Sequence, residues 1–166
     1  MVDIFKQVNL PAVLIHIAFI IAVAMLLQLA MVPFNYSFLV GALIYFVLSM
    51  LLRKIVPADH NSAMSLLMRE DYEMAQKGFE RSFQYFSKNQ WIDDYRVLTM
   101  MSASNISYRE MALINQALCY LQMGKYEEAR AGYEAVLVLF PNSRLAKQAI
   151  DYLDNPDEEE EKPQNF

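Results

Sequence analysis

Residues 110–143 read EMALINQALCYLQMGKYEEARAGYEAVLVLFPNS, and this stretch decides the fold. Its apolar residues recur every three or four positions, which predicts two amphipathic helices. Gly124 lies between the two runs, where a glycine commonly ends a helix. Pro141 stands where the second helix must end. Small residues, Ala117 and Ala129, fall within the two predicted helices, so the two helices are able to pack closely.

The full set of positions in this stretch resembles one tetratricopeptide repeat (TPR), a helix pair with a period of 34 residues. Departures from the usual pattern are Gln116 and Val136, which replace a large apolar residue and an alanine. The resemblance implies two antiparallel helices whose alanines permit close approach and whose tyrosines fill the space around them. The residues that carry this structural resemblance are Ala117, Tyr120, Gly124, Tyr126, Ala129, Tyr133 and Pro141.

A weaker copy of the same pattern occupies residues 56–89. Aligning the two copies places Ala63 against Ala117 and Phe79 against Tyr133, 54 residues later. Glu70 replaces the turn glycine. The spacing exceeds one repeat period, so about one helix, residues 90–106, is predicted as an insertion.

Start and stop signals divide the region after residue 55 into about six helices. The first three predicted helices run from Asn61 or Ser62 to Arg69, from Asp71 to Phe86, and over 90–101 with Asn89 as the cap. The fourth runs from the capping box of Ser107 and Glu110 to Met123, and the fifth ends at Phe140. The sixth covers 144–154 and is capped by Ser143. The last helix is expected to cap the array, because repeat units cannot bury their faces alone.

The amino-terminal part is a different kind of sequence. No Asp, Glu, Lys or Arg occurs from Gln7 to Leu52. Residues 11–32 are long enough to cross a hydrocarbon core of about 30 Å as a helix. A second apolar run over 37–52 reaches a spanning length when it is extended back to Phe34. The predicted fold class is therefore all-α, a two-helix transmembrane hairpin followed by a short TPR-like α-solenoid.

Flanking charges set the expected orientation of this hairpin. Lys6 precedes the first span, Arg53 and Lys54 follow the second, and the turn between them has no basic residue. Both termini are therefore expected on the cytoplasmic side of a two-span integral membrane protein. The expected domains are a cytoplasmic N-terminus (1–10), the transmembrane hairpin (11–55), the TPR-like domain (56–154) and an acidic disordered tail (155–166).

Polar and small residues inside the hairpin suggest how its helices pack. His16 and Gln28 are polar residues in the first span, and Ser49 is expected at the depth of His16. The favoured interpretation is a hydrogen bond that joins the two helices. The pairs Ala18/Ala22 and Ser37/Gly41 have the four-residue spacing that permits close approach.

Composition excludes several classes of function. The net charge is −5, but seven of the nineteen acidic residues lie in 151–161, and no basic stripe is present, so nucleic-acid binding is not expected. The single cysteine, Cys119, rules out a disulfide framework and is expected to be a small core residue. No phosphate-binding or metalloprotease motif occurs, and the two histidines, His16 and His60, lie far apart in the chain. We predict a protein that is not an enzyme and takes no cofactor, metal or small-molecule substrate.

The TPR resemblance implies a protein-binding groove lined by the first helix of each pair, which would take an extended peptide or a helix. An apolar groove with adaptable methionines is favoured over a carboxylate clamp. Trp91 is expected to pack the inserted helix onto the array or to anchor a partner. The predicted groove residues are Met111, Ile114, Asn115, Leu118, Gln122, His60 and Met64.

Three hypotheses for the function follow from these features. The first is a membrane-tethered scaffold or adaptor that binds a protein partner, for instance in assembly of a membrane complex. The second is a small structural subunit in which the hairpin makes the main contact. A transporter component or an enzyme without a known motif is the third alternative.

Overall fold

The computed structural model describes residues 10–30 and 33–155, and every regular element in these ranges is an α-helix. The all-helical prediction is therefore confirmed. The expected N-terminal segment up to residue 9 and the acidic tail from residue 156 lie outside the described residues. The helices are α1 (Leu10–Leu29), α2 (Phe34–Ile55), α3 (Ala58–Leu67), α4 (Tyr72–Lys88), α5 (Gln90–Asp94), α6 (Arg96–Thr99), α7 (Tyr108–Gln122), α8 (Tyr126–Leu139) and α9 (Arg144–Asp154).

The chain divides into two compact units. One, which we call the hairpin unit, contains α1, α2 and the inserted segment, residues 90–105. The other, the repeat unit, contains residues 58–89 and the chain from Ile106 onward. The sequence grouped residues 90–106 with the repeats, whereas the structure places residues 90–105 with the hairpin.

Helices α1 and α2 pack together through small residues. A side chain added at Gly41 would lie 3.3 Å from the carbonyl oxygen of Ile20 and 3.4 Å from the backbone nitrogen of Ala24. Ser37 is fully buried and its hydroxyl accepts a hydrogen bond of 3.3 Å from Gln28. Close approach through Ser37 and Gly41 is therefore confirmed.

The opposite helix uses other small residues than the sequence suggested. Ala18 and Ala22 are exposed, and the buried alanines of α1 are Ala12 and Ala24. The predicted Ala18/Ala22 contact is wrong, because these residues lie on the outward face of α1.

In the repeat unit, helices begin where a side chain caps them. Ser107 accepts from the backbone N–H of Glu110 at 3.1 Å, and Ser143 accepts from that of Ala146 at 3.3 Å. Asp71 does the same for Met74 at 3.3 Å. These three predicted starts are confirmed, and each cap satisfies an N–H that has no partner within its helix.

Two helix predictions differ from the structure. The first helix after the hairpin begins at Ala58, three residues before the expected cap at Asn61. The helix expected over 90–101 is divided at Tyr95 into α5 and α6. Asn89 does not cap α5; instead its side-chain amide donates to the carbonyl of Tyr85 at 3.0 Å and so closes the end of α4.

Successive helices of the repeat unit pack in the order α3, α4, α7, α8, α9. Helix α4 packs directly on α7, so the two helix pairs are neighbours although 54 residues separate their equivalent positions. The chain therefore leaves the array after α4, passes through residues 90–105 of the hairpin unit, and enters the array again at α7.

The inserted segment is held to the hairpin by polar contacts. The His16 imidazole lies 3.1 Å from the carbonyl oxygen of Val97, and the Arg53 guanidinium donates to the carbonyl of Met101. Ser49 instead donates to Phe46 in its own helix. The predicted bond between His16 and α2 is therefore wrong: the imidazole joins α1 to the inserted segment, and its contact with α2 is a ring contact with Tyr45, 5.7 Å between centroids.

Candidate protein-binding site

The two helix pairs of the repeat unit are built around the same small-residue contact. A Cβ added at Gly78 in α4 would lie 2.7 Å from the Cβ of Ala63 in α3. A Cβ added at Gly132 in α8 would lie 2.8 Å from the Cβ of Ala117 in α7. Each glycine and each alanine has its counterpart 54 residues away. The weaker copy found in the sequence is therefore a second helix pair with the same internal packing.

The turns inside the two pairs are also alike. Gly124 has a φ of 72° and Glu70, its counterpart, has a φ of 62°. In both turns this residue donates its N–H to a carbonyl three residues earlier at 3.0 Å, and the next residue donates to a carbonyl five residues earlier at 3.0 Å. The replacement of glycine by Glu70 therefore leaves the turn unchanged, at the cost of a left-handed backbone that side chains disfavour.

The core between the helices follows the same register. Ala75 and Ala129 are fully buried, and Phe79 and Tyr133 fill equivalent places at 0% and 3% exposure. Burial raises the pKa of the Tyr133 hydroxyl to about 12, and the Cys119 side chain adds to this shift.

Cys119 lies in the cluster formed by Ala63, Ala75 and Phe79, where α7 joins the first pair. Burial raises the pKa of its thiol to about 11. A thiol that stays protonated is a poor nucleophile and a poor metal ligand. The prediction of a small core residue is confirmed.

His60 and Ser82 form a polar pair that the second repeat lacks. The imidazole Nδ1 of His60 lies 3.2 Å from the Ser82 hydroxyl, and the two side chains are 5% and 1% exposed. The rings of Phe79 and Tyr108 pack edge-on against the imidazole with centroids 5.3 and 5.2 Å away. The His60 side chain therefore lies inside the packing of the repeat unit and not on a groove.

The other predicted groove residues lie along one face of α7, with Met64 on α3. Helices α3 and α7 are in contact, so the first helices of both pairs are neighbours. Most of these side chains are half-buried, and Gln122 is exposed. Ile114 and Met64 also pack against the cores of their own pairs. The half-buried set consists of Met64, Met111, Ile114, Asn115 and Leu118.

One residue of this face was missed in the sequence. Met68, just after α3, is 81% exposed and stands 54 residues before Gln122. It follows Met64 by four residues, which places the two on the same side of the helix. The 54-residue offset was the signal that would have found it.

The residues that carry the repeat pattern occupy different environments. Ala117 is buried, and Tyr120 is half-buried with its hydroxyl accepting from Gln76 of α4 at 3.3 Å. Tyr126 is 63% exposed, so most of its ring lies outside the core that the sequence assigned to it. Pro141 lies in the turn that follows α8.

The capping helix α9 is joined to α8 by charge as well as by packing. Arg130 of α8 donates to Asp154 and, at 3.1 Å, to Glu134. The carboxylate of Asp154 raises the pKa of the Arg130 guanidinium, through the hydrogen bond first and the charge second. Apolar residues of α9, among them Ala149, Ile150 and Leu153, cover the core of the second pair.

Comparison with known proteins agrees with this geometry. Residues 111–143 match the family model of the tetratricopeptide repeat. The match covers most of α7 and all of α8, the second helix pair of the repeat unit. No curated protein and no solved structure matches the chain. TPR helix pairs are typically modules for binding other proteins rather than catalytic units. Within the described residues, no group of three or more His, Cys, Asp or Glu side chains is placed to hold a metal ion.

Proposed function

We propose that this protein is a membrane-tethered scaffold whose TPR pairs bind a segment of another protein on the face formed by α3 and α7. The observation that carries the proposal is the direct packing of α4 on α7, which joins two helix pairs into one short array. In such an array α3 and α7 lie side by side, and this arrangement supports a binding face on the two helices.

The tether is supported by the exposure of the hairpin helices. Pro11–Leu29 and Tyr36–Ile55 are long and apolar enough to cross a bilayer, and only 11% of either span is buried within the chain. A core helix of a soluble protein would be mostly buried. Large apolar side chains such as Leu29, Leu39 and Phe46 are 82%, 66% and 62% exposed. Exposed apolar surface of this extent is stable when lipid covers it. The charges at Arg53 and Lys54 favour a cytoplasmic position for the chain that follows.

The chemistry of the face indicates what binds there. It combines flexible methionines, Met64, Met68 and Met111, with the amides of Asn115 and Gln122. Methionines adapt to irregular apolar side chains, and amides bond to backbone groups. A peptide or an amphipathic helix with apolar side chains fits this combination. Two pairs offer a small face and hence weak affinity, which tethering offsets by raising the local concentration near a membrane partner.

The proposal is tested by crosslinking the full chain in native membranes and comparing two matched variants. Asn115→Arg/Gln122→Arg places two charges on the face. Ala131→Arg/Ala135→Arg places the same charges on exposed positions of α8. We expect the first variant to lose specific crosslinked partners and the second to keep them.

Other outcomes overturn the proposal. Equal retention by both variants, with loss only when residues 1–55 are replaced by an unrelated anchor, would assign the main contact to the hairpin and favour a structural subunit. Recovery of the chain in the soluble fraction without detergent would show that the chain is not tethered to a membrane.

A further inference from the structure

The inserted segment of the hairpin unit presents an aromatic face that no part of the described chain covers. Trp91, Tyr95 and Leu98 are 60%, 63% and 62% exposed. Their spacing of four and then three residues places them on one side of a helix. Although the helix is divided at Tyr95, the backbone bonds from Tyr95 to Trp91 and from Thr99 to Tyr95, both 3.0 Å, keep the helical register across the break. The three side chains therefore form one surface, which we call the aromatic face.

The opposite side of the same segment is the one that packs. Asp93 and Met100 are fully buried, and Val97 is half-buried. Arg96 fastens this side, donating to the carbonyls of Asp93, Ser104 and Asn105 at distances from 2.9 to 3.0 Å. The segment therefore buries an acidic residue, Asp93, and exposes its aromatic residues, Trp91 and Tyr95.

The position of the segment on the hairpin is fixed by two contacts. His16, on α1, lies 3.1 Å from the carbonyl of Val97. His16 lies about 9 Å along the helix axis from Leu10, the first residue of α1. Arg53, two residues before the end of α2, donates to the carbonyl of Met101. Both contacts lie at the end of the hairpin where α1 begins and α2 finishes, and Arg53 and Lys54 mark the same end.

We propose that the inserted segment lies in the headgroup region of the bilayer, with Trp91, Tyr95 and Leu98 inserted among the lipids beside the cytoplasmic end of the hairpin. This inference rests on the proposed tether. Tryptophan and tyrosine favour the membrane–water interface because their rings are apolar and their polar atoms remain hydrated. The His16 and Arg53 contacts hold the segment at the end of two helices whose apolar surface lipid would cover, so the aromatic face lies at the depth of the lipid headgroups. A protein partner on this face would have to displace that lipid.

The segment then acts as an interfacial anchor. Three side chains bind lipid weakly when alone. Because the hairpin already holds them at the surface, their insertion requires little further loss of freedom. The aromatic face thereby fixes the depth and rotation of the hairpin in the membrane.

Trp91 is the only tryptophan of the chain, so its fluorescence reports on this face alone. The full chain is reconstituted into phosphatidylcholine vesicles that contain lipids brominated at a shallow or at a deep acyl position. We expect a blue-shifted emission, protection from aqueous iodide, and at least a twofold stronger quenching by the shallow bromines than by the deep ones.

A second variant distinguishes a chain that lacks the interfacial anchor from a chain that does not cross the membrane. Trp91→Phe/Ile21→Trp moves the fluorophore to an exposed position in the middle of α1. Strong quenching of the residue 21 indole by deep bromines, together with iodide-accessible and bromine-insensitive emission from Trp91, would overturn only the interfacial anchor. Protection of Trp91 from iodide without quenching by either lipid would show that protein, such as a second copy, covers the face, and would also overturn it. Absence of deep quenching at residue 21 would refute the tether itself.

Discussion

Glu70 and Gly124 lie 54 residues apart in the chain and adopt the same left-handed backbone, with φ of 62° and 72°. Each lies in the turn after the first helix of its pair, and in both turns this residue and the next one donate the same two hydrogen bonds. A glycine adopts this conformation freely, whereas a glutamate does so under strain. The geometry of the turn is therefore imposed by the packing of α3 on α4 and not by the residue in it.

Substitutions at these two positions should change the free energy of unfolding in opposite directions. We expect Glu70→Gly to raise the free energy of unfolding by about 0.5–1 kcal/mol, because relief of strain exceeds the added entropy of the unfolded chain. Gly124→Ala should lower it by about 1 kcal/mol. Denaturant unfolding of the full chain in detergent, followed by circular dichroism, measures both.

Glu70→Ala serves as the matched control, because it removes the carboxylate but keeps the side-chain strain. It should leave stability nearly unchanged. If Glu70→Ala stabilised as much as Glu70→Gly, charge and not backbone conformation would be the cause.

The fold was predictable where local rules decide it. The caps at Ser107 and Ser143 and the turn at Gly124 follow from one or two residues each, and the TPR pattern adds the packing between α7 and α8. The path of residues 90–105 was not predictable, because it depends on contacts with His16 and Arg53, which lie far away in the sequence. Trp91 was given two possible roles, packing the inserted helix onto the array or anchoring a partner. Its exposure of 60% favours the second, which stays a prediction.

The groove prediction shows a similar division. Met64, His60 and the residues of α7 were assigned to one face because the sequence resembles a TPR. The resemblance holds for Met64 and α7, but Ser82 on α4 provides a buried partner for the His60 imidazole. A repeat pattern does not distinguish an outward polar residue from one whose partner lies on another helix.

Helix contact at Gly78 should not tolerate a methyl group. Gly78→Ala should destabilise the chain by about 1–2 kcal/mol, since overpacking against Ala63 exceeds the gain in helix propensity. The double variant Ala63→Gly/Gly78→Ala restores the total volume and should recover most of the loss. Thermal unfolding of the three proteins tests this; an unchanged midpoint in the single variant would contradict the close contact.

Replacing His60 and Ser82 together should cost less stability than replacing either residue alone. His60→Ile or Ser82→Val alone leaves a buried polar group with one partner fewer and should cost about 1–3 kcal/mol. The double variant reproduces the apolar residues at the equivalent positions of the second pair, Ile114 and Val136, and should be close to the parent in stability. A double-mutant cycle with additive losses would show that the two side chains do not interact.

Alkaline pH should weaken the repeat unit through Cys119. Its thiol has a pKa of about 11 in the folded chain against an ordinary value of 9.0. Above about pH 9 the unfolded chain therefore loses this proton first, and stability falls until the pH passes the folded value. Between neutral pH and about pH 10 we expect Cys119→Ala to lose less stability than the parent, by on the order of 1 kcal/mol. Equal pH dependence in the two proteins would show that the thiol is not shielded.

The most direct test of the membrane-tethered array is the accessibility of its two ends in intact cells. In a Cys119→Ala background, a cysteine is placed at Pro33, in the turn between α1 and α2, or at Ala131, exposed on α8. A membrane-impermeant maleimide added from outside should label residue 33 in intact cells and residue 131 only after permeabilisation. Labelling of both sites, or of residue 131 alone, in intact cells would contradict a hairpin that crosses the bilayer twice and holds the repeats in the cytoplasm.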